Sequence, residues 1–199
     1  MVQFIQEFHE AVSVEICSQL IKKFDYYESH NEGQVQVLDK FTTDGGGAND
    51  TRTKKAKVIY VDTNILSQVD PDFLELVKQC VEGIYRCVPF YVQQLKQVVM
   101  APIQVNQIDF LKYEQGEGFY GSHIDCGMKG LEHRILSFVL YLNDVKVGGE
   151  TEFVLQDVMV KPEAGKLVIF PSNFCFVHQS NRTVSNAKYI IASFSSFAM

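Results

Sequence analysis

A histidine and an aspartate stand two positions apart in "YGSHIDCG", residues 120–127, with Ile124 between them. In an extended strand, residues i and i+2 point to the same side. His123 and Asp125 would then aim at one point while Ile124 packs on the opposite face. A neutral imidazole and a carboxylate suit a divalent first-row metal, but the same two residues also make a hydrogen-bonded pair at a strand end. A third ligand decides between these readings, and "PSNFCFVHQS" supplies one in His178. The remaining histidines, His9, His30 and His133, lie in the N-terminal region or beside charged neighbours and read as solvated or capping residues.

Lys188 opens the strand-like "AKYIIASFSSF". Alternation places it on the face of Ile190, Ala192 and Phe194, an apolar surface that a lysine joins only at a cost unless an anion pairs with it. No Asp or Glu follows Glu163 in the chain, so a partner must come from elsewhere in the fold or from a ligand. Otherwise Lys188 sits at a strand mouth and reaches solvent. Two histidines, one carboxylate and a nearby cation inside a β core call for a metal together with an anionic ligand. Cys126, next to Asp125, could be a nucleophile or a soft ligand, but with no paired base in view a packed thiol accounts for it better.

These residues need elements to position them. Apolar residues recur near helical spacing from Val14 to Phe24 (Val14, Ile16, Leu20, Ile21, Phe24), with Ser13 as N-cap and Glu15 in the first turn. Residues 39–57, "DKFTTDGGGANDTRTKKAK", read as a mobile loop, either a lid over a site or a passive insertion. "PDFLELVKQCVEGIYRCV" reads as a second helix, with Pro71 in its first turn and a stripe through Phe73, Leu74, Val77, Cys80, Val81, Ile84 and Val88. Short runs rich in Val, Ile, Phe, Tyr and Ser follow, with turn signals in "VKVGGE" and "KPEAGK". Helices followed by a train of strands predict helices packed on a closed or sandwiched β core, mainly β in an α+β arrangement. The 199 residues are expected to form one domain, with a helical part over about 1–100 and the β core over about 101–199.

Composition narrows the function. Hydrophobic residues make up 46% and charged residues 21%, the balance of a soluble globular protein. No apolar run reaches the roughly 20 residues that span a bilayer. The N-terminus lacks the charged and apolar regions of a signal peptide, so a cytoplasmic, non-membrane protein is expected. Five scattered cysteines form no Cys-x-x-Cys pair, which disfavours a disulfide framework or a zinc ribbon. A net charge of −6 gives no footprint for nucleic acid.

From about residue 112 onward the sequence resembles the iron(II)- and 2-oxoglutarate-dependent dioxygenases, prolyl 4-hydroxylase-like group. The ordered segments are "KYEQGEGFYGSHID", "HRILSFVLYLND", "GGETEF" and "PEAGKLVIFPS", then His178 and, ten residues later, Lys188. The resemblance implies a double-stranded β-helix (jelly-roll) core. It implies that His123, Asp125 and His178 bind Fe(II) as a 2-His-1-carboxylate triad and that Lys188, Tyr113 and Tyr141 bind 2-oxoglutarate. Dioxygen would be the second co-substrate and ascorbate a reductant. Oxidation would occur at the metal, with no separate acid or base residue. Arg134, just before the "YLN" strand, and Arg52, on the 39–57 segment, are the substrate-binding candidates. A prolyl residue in a protein or peptide is the implied substrate, with a free amino acid or other small molecule as the alternative. The absence of tryptophan departs from several relatives, which place one near the substrate. Readings of other classes are a cupin-like isomerase or zinc hydrolase with Glu114 or Glu117 as base, a nucleic-acid demethylase, and a non-catalytic binding module.

Overall fold

A computed structural model describes residues 3–30, 33–43, 52–95, 102–127 and 129–198, without the side chains of 41–43 and 52–53. Its centre is a curled sheet of antiparallel strands. β1 (Gln6–Phe8), β2 (Leu38–Thr43) and β3 (Arg52–Tyr60) precede the long β4 (Ile103–Tyr113). β5 (Phe119–His123), β6 (Leu136–Tyr141), β7 (Thr151–Phe153), β8 (Val158–Val160), β9 (Leu167–Pro171), β10 (His178–Ser180) and β11 (Lys188–Phe197) complete it. The strand order is β1-β9-β6-β11-β4-β3-β5-β10-β7-β8, with β2 attached to β3. β3 pairs with both β4 and β5, and so carries the sheet from one layer of the jelly roll into the other.

The central strands read as nearly unbroken apolar runs because both of their faces are covered. Every residue of β6 is buried. Leu136, Phe138 and Leu140 on β6, Leu167 and Ile169 on β9, and Tyr189 and Ile191 on β11 join one core, shared with the helices. Val139, Tyr141, Val168, Phe170 and Ile190 fall on the opposite parity and fill the interior of the roll. Lys188 has the parity of Ile190, as alternation predicts.

Three helices cover the outer face: α1 (Val14–Ser29), α2 (Thr63–Val69) and α3 (Pro71–Gln94). Ser13 caps α1 as expected, its side chain accepting from the Ile16 amide. The buried stripe of α1 is rotated from the sequence expectation. Val14 is exposed, and Cys17 and Tyr27 join Leu20 and Phe24 inside. Phe24 meets the β4 ring of Phe110 at 4.8 Å between centroids, an edge contact that sets helix against sheet. The α3 stripe holds through Phe73, Val77, Cys80 and Ile84. α2 escapes the sequence reading, being seven residues long.

Two expectations need correction. Residues 39–43 and 52–57 are not loop but lie in the antiparallel β2–β3 pair, with Asp39 opposite Lys57; residues 44–51, which hold the triple glycine, lie outside the described residues. The first hundred residues are also not simply helical, since they supply three strands, including the one that joins the two layers. A charge cluster explains why a lysine-rich segment makes a stable strand: Lys57 on β3 and Lys112 on β4 share Glu28 of α1, and Lys57 also reaches Glu114 at 3.0 Å. All five cysteines are free, with Cys17, Cys80 and Cys87 buried. No described helix is long and apolar enough to cross a membrane.

Asp70 ties the helices together. Its carboxylate caps α3 at the Phe73 amide (3.0 Å), pairs with Lys23 of α1 (2.7 Å) and accepts from the Tyr27 hydroxyl (2.9 Å). Asp70→Ala is expected to cost roughly 2 kcal/mol, seen as a fall of about 4–8 °C in Tm. Asp70→Asn, which keeps a capping oxygen, should lose less. Equal losses in the two variants would assign the effect to the ion pair rather than the cap.

Candidate metal and anion site

His123 is the last residue of β5, and Asp125 lies in the turn beyond it. Strand alternation therefore does not bring the two together, contrary to the sequence reading; the turn after His123 does. The second histidine arrives by pairing: His178 opens β10 directly opposite His123. The two imidazole centroids are 4.3 Å apart. Asp125 faces both, with Oδ1 3.6 Å from His123 Nε2 and Oδ2 3.5 Å from His178 Nε2. Donor atoms from all three residues lie within 4.8 Å of one another, close enough to converge on one ion.

The local bonding selects the tautomers. Nδ1 of His123 lies 2.8 Å from the Gly121 carbonyl, and Nδ1 of His178 lies 3.0 Å from the Phe176 carbonyl. A carbonyl can only accept, so each Nδ1 carries a hydrogen, and each Nε2, on losing its proton, would be free to bind an ion at the point Asp125 faces. Tyr120 stacks on His123 at 3.6 Å and Phe170 abuts His178 edge-on, fixing both rings. Asp125 Oδ2 accepts from Ser137 Oγ at 2.6 Å, and Ser137 is linked to Ser172 at 2.8 Å. Burial alone would raise the Asp125 carboxyl, but the facing imidazoles and the Ser137 hydroxyl outweigh it and hold it at about 2. Burial lowers His178, which favours its neutral imidazole, against the opposing pull of Asp125. Two imidazole nitrogens and one carboxylate, each side chain oriented by a further hydrogen bond, suit a divalent iron with open positions.

At the closed end of the same cleft stands Lys188, 1% exposed. Its ammonium donates to the Gly149 carbonyl (2.6 Å) and Ser180 Oγ (2.5 Å) and lies 4.7 Å from the centre of the Tyr113 ring. Gly149 has a φ of +75°, a backbone that glycine adopts without strain, and its carbonyl faces the lysine. Lys188 makes no ion pair among the described residues. Burial pushes its ammonium down to about 7, only partly opposed by the more distant Glu150. An anionic ligand here would relieve that cost, so the residues present fit both a divalent metal and an acid beside it.

The other candidates divide. Tyr113 is buried, lines the cleft and packs on Lys188. Gly118 is held against it: an added Cβ would fall 2.6 Å from Tyr113 Cα, so the glycine permits the tight return from β4 to β5. Tyr141 stands one step back, donating its hydroxyl to Thr151 Oγ1 at 2.6 Å, and it is Thr151 that lines the cleft. Arg134 lines the opposite, outer end. It donates to the Asp125 carbonyl (3.0 Å) and Gln107 Oε1 (2.7 Å) and stacks on Phe194 at 3.5 Å. The Arg52 side chain lies outside the described residues. Glu114 and Glu117 pair with lysines away from the cleft, which leaves the hydrolase reading without its nominated base.

Sequence reasoning misses Ser137, Ser180, Thr151, Asp109 and Lys54, all of which line the cleft. Parity holds the signal for three of these: Ser180 follows His178 by two, Asp109 precedes Tyr113 by four, and Ser137 precedes Tyr141 by four. The cleft has a cavity volume of about 130 Å³.

Lys188 gives a pH signature. Its group binds a proton near 10.5 when unfolded but only at about 7 in the folded chain. The unfolded chain therefore holds more protons between these values, and the stability due to this group rises with pH across that window. Urea unfolding from pH 7 to 10 should show this positive slope, and Lys188→Met should flatten it. An unchanged slope in the variant would mean that Lys188 is charged and compensated in the fold.

Residues 108–196 match the 2OG-Fe(II) oxygenase superfamily. No curated protein matches in sequence. Among solved structures, a Pseudomonas putida prolyl-4-hydroxylase is similar at 17% identity and a TM-score of 0.67, over 98% of this chain and 94% of that one. A Trichoplax adhaerens prolyl hydroxylase, solved with a hypoxia-inducible-factor peptide fragment, aligns at 14% identity and a TM-score of 0.68, over 97% and 83%. The viral collagen prolyl hydroxylase of Paramecium bursaria Chlorella virus-1, in its 2OG complex, aligns at 14% identity and a TM-score of 0.62, over 99% and 97%. At such identities these likenesses establish the fold, which is the double-stranded β-helix expected from the sequence. The match to the 2OG-Fe(II) oxygenase superfamily, whose members use Fe(II) and 2-oxoglutarate, covers the β core over residues 108–196, just under half of the chain, and includes all three residues of the His123, Asp125 and His178 cluster.

Proposed function

We propose that the protein is an Fe(II)- and 2-oxoglutarate-dependent hydroxylase acting on a prolyl residue of a protein or peptide. One observation supports this above the rest: the His123, Asp125 and His178 donors converge in a cleft whose closed end is a buried ammonium with no acid paired to it among the described residues. His123, Asp125 and His178 would hold the iron. Lys188 would take the distal carboxylate of 2-oxoglutarate, assisted by Ser180, with Tyr113 and Thr151 shaping the pocket around it. In this family the bound iron and 2-oxoglutarate supply the oxidation, in which dioxygen and 2-oxoglutarate are consumed, succinate and carbon dioxide are released, and a C–H bond becomes C–OH.

The chain's own residues do the positioning. The Nδ1 hydrogens of both histidines stay on backbone carbonyls, so neither ring can turn away from the metal. Ser137 keeps Asp125 oriented and ionised. Val139, Ile190 and Leu111 line the co-substrate end and exclude water from it. Arg134, pinned on Phe194, forms the wall that a substrate meets on entry. The prolyl assignment draws on the prolyl hydroxylases of the same fold and on this arginine's position just before β6; a small-molecule substrate is the alternative.

Anaerobic addition of Fe(II) and 2-oxoglutarate should produce the weak visible charge-transfer band of the chelate, and His178→Ala should abolish it. Metal binding without a band would sink the oxygenase assignment. Lys188→Ala, which removes a charge-assisted contact, should weaken 2-oxoglutarate binding about 10- to 100-fold by calorimetry while sparing metal affinity. A panel of proline-containing peptides, followed by succinate release and by gain of one oxygen in the mass spectrum, tests the substrate. Turnover of free amino acids alone would replace the peptide assignment.

A further inference from the structure

Lys54 lines the outer part of the cleft from β3, in register with Tyr120 of β5. Its ammonium lies 4.4 Å from the centre of the Tyr120 ring, the same ring that stacks on His123. Among the described residues it makes no hydrogen bond and no ion pair; the carboxylates it feels, Asp109 and Asp125, act only at a distance. Both are otherwise engaged. The two Asp109 oxygens accept from Gln107 Nε2 at 2.9 Å, and Asp125 faces Ser137 and the histidines. Burial pushes the Lys54 ammonium down to about 8 against the pull of those carboxylates, as befits a cation that the protein leaves short of counter-charge.

The charge balance of the cleft points the same way. Its lining holds three cations, Lys54, Arg134 and Lys188, and two carboxylates, Asp109 and Asp125. A divalent metal and a dianionic 2-oxoglutarate cancel each other, so filling the inner end leaves one positive charge over. Lys188 is then spoken for, and Arg134 is already held by Gln107, the Asp125 carbonyl and Phe194. Of the two cations at the end where a substrate must enter, Lys54 is the one whose donors are unengaged among the described residues, so it is the one free to meet an anion. In a concave, partly dry site such a charge favours a monoanion and disfavours a cation.

We infer that the substrate of this cleft carries a carboxylate close to the oxidised carbon, and that Lys54 is the specificity-determining residue that binds it. This rests on the reading of the inner end as the metal and 2-oxoglutarate site. The carboxylate can be an acidic side chain beside the target residue or the terminal carboxylate of a free or chain-terminal amino acid. The face of the Tyr120 ring, 4.4 Å from the ammonium, positions Lys54.

The test uses the full chain loaded with Mn(II) and saturating 2-oxoglutarate, so that the Lys188 end is filled. Proton relaxation by the paramagnetic centre then reports small probes entering the outer end. N-acetylglycine should bind about tenfold more tightly than N-acetylglycinamide, a difference of one desolvated charge contact. Lys54→Met should erase the difference, Lys54→Arg should retain it, and both should keep 2-oxoglutarate affinity within about twofold. Comparing N-acetylproline with acetyl-glutamyl-prolinamide separates the terminal from the side-chain source. Equal relaxation of acid and amide in the wild type, or a preference that survives Lys54→Met, overturns the inference. A carboxylate preference without any prolyl hydroxylation would refute the prolyl reading and leave Lys54 standing; prolyl hydroxylation indifferent to carboxylates would do the reverse.

Discussion

An ammonium sealed inside a β-roll constrains this molecule more than any other single group. Lys188 occupies a position that the parity of β11 assigns to the interior, where a leucine would pack without cost. To tolerate it, the fold supplies a glycine carbonyl at positive φ, a serine hydroxyl two residues past His178 and the face of a tyrosine. Each of these comes from a different strand or turn. Moving any one of them would strand the charge, so the placement of β10, the Gly148–Gly149 turn and the end of β4 is tied to the same few ångströms as the proposed chemistry.

The rest of the architecture follows from keeping two cores apart. One parity of β6, β9 and β11 binds the helices, and the other faces the cleft. The outer core is large and aromatic, with Phe24, Phe73 and Phe110 in edge contact. It can therefore hold the sheet rigid while the inner face carries polar groups that contribute little to stability. A site assembled from strands braced in this way keeps its donor geometry better than one assembled on loops.

Much of this is legible in the sequence, and the gaps have physical causes. Lys188, His178 and the helix starts at Ser13 and Pro71 announce themselves, because a charge on an apolar face or a proline opening an apolar stripe has few roles to choose from. His123 and Asp125 pair correctly for the wrong reason, since a turn rather than a strand unites them. The β2–β3 pair reads as loop because its lysines are stabilised by Glu28, a partner distant in sequence that no local pattern reveals. Thr151 and Lys54 escape because they reach the cleft only through pairing with Ser180 and Tyr120, and cross-strand register is decided by the whole sheet. Tyr141 shows the limit of family resemblance: its place in the chain is as expected, while its hydroxyl is spent on Thr151.

The two short bonds from the histidine Nδ1 atoms to Gly121 and Phe176 have a wider consequence. Each spans only two residues, so the ring orientation is set by local backbone and comes with folding itself. Loading an ion would then require little further ordering of these two rings. Such a pocket is permissive: it would accept neighbouring divalent ions of the first transition row in the order of their intrinsic affinities. Which ion would reside there would accordingly depend on the supply around the protein as well as on affinity.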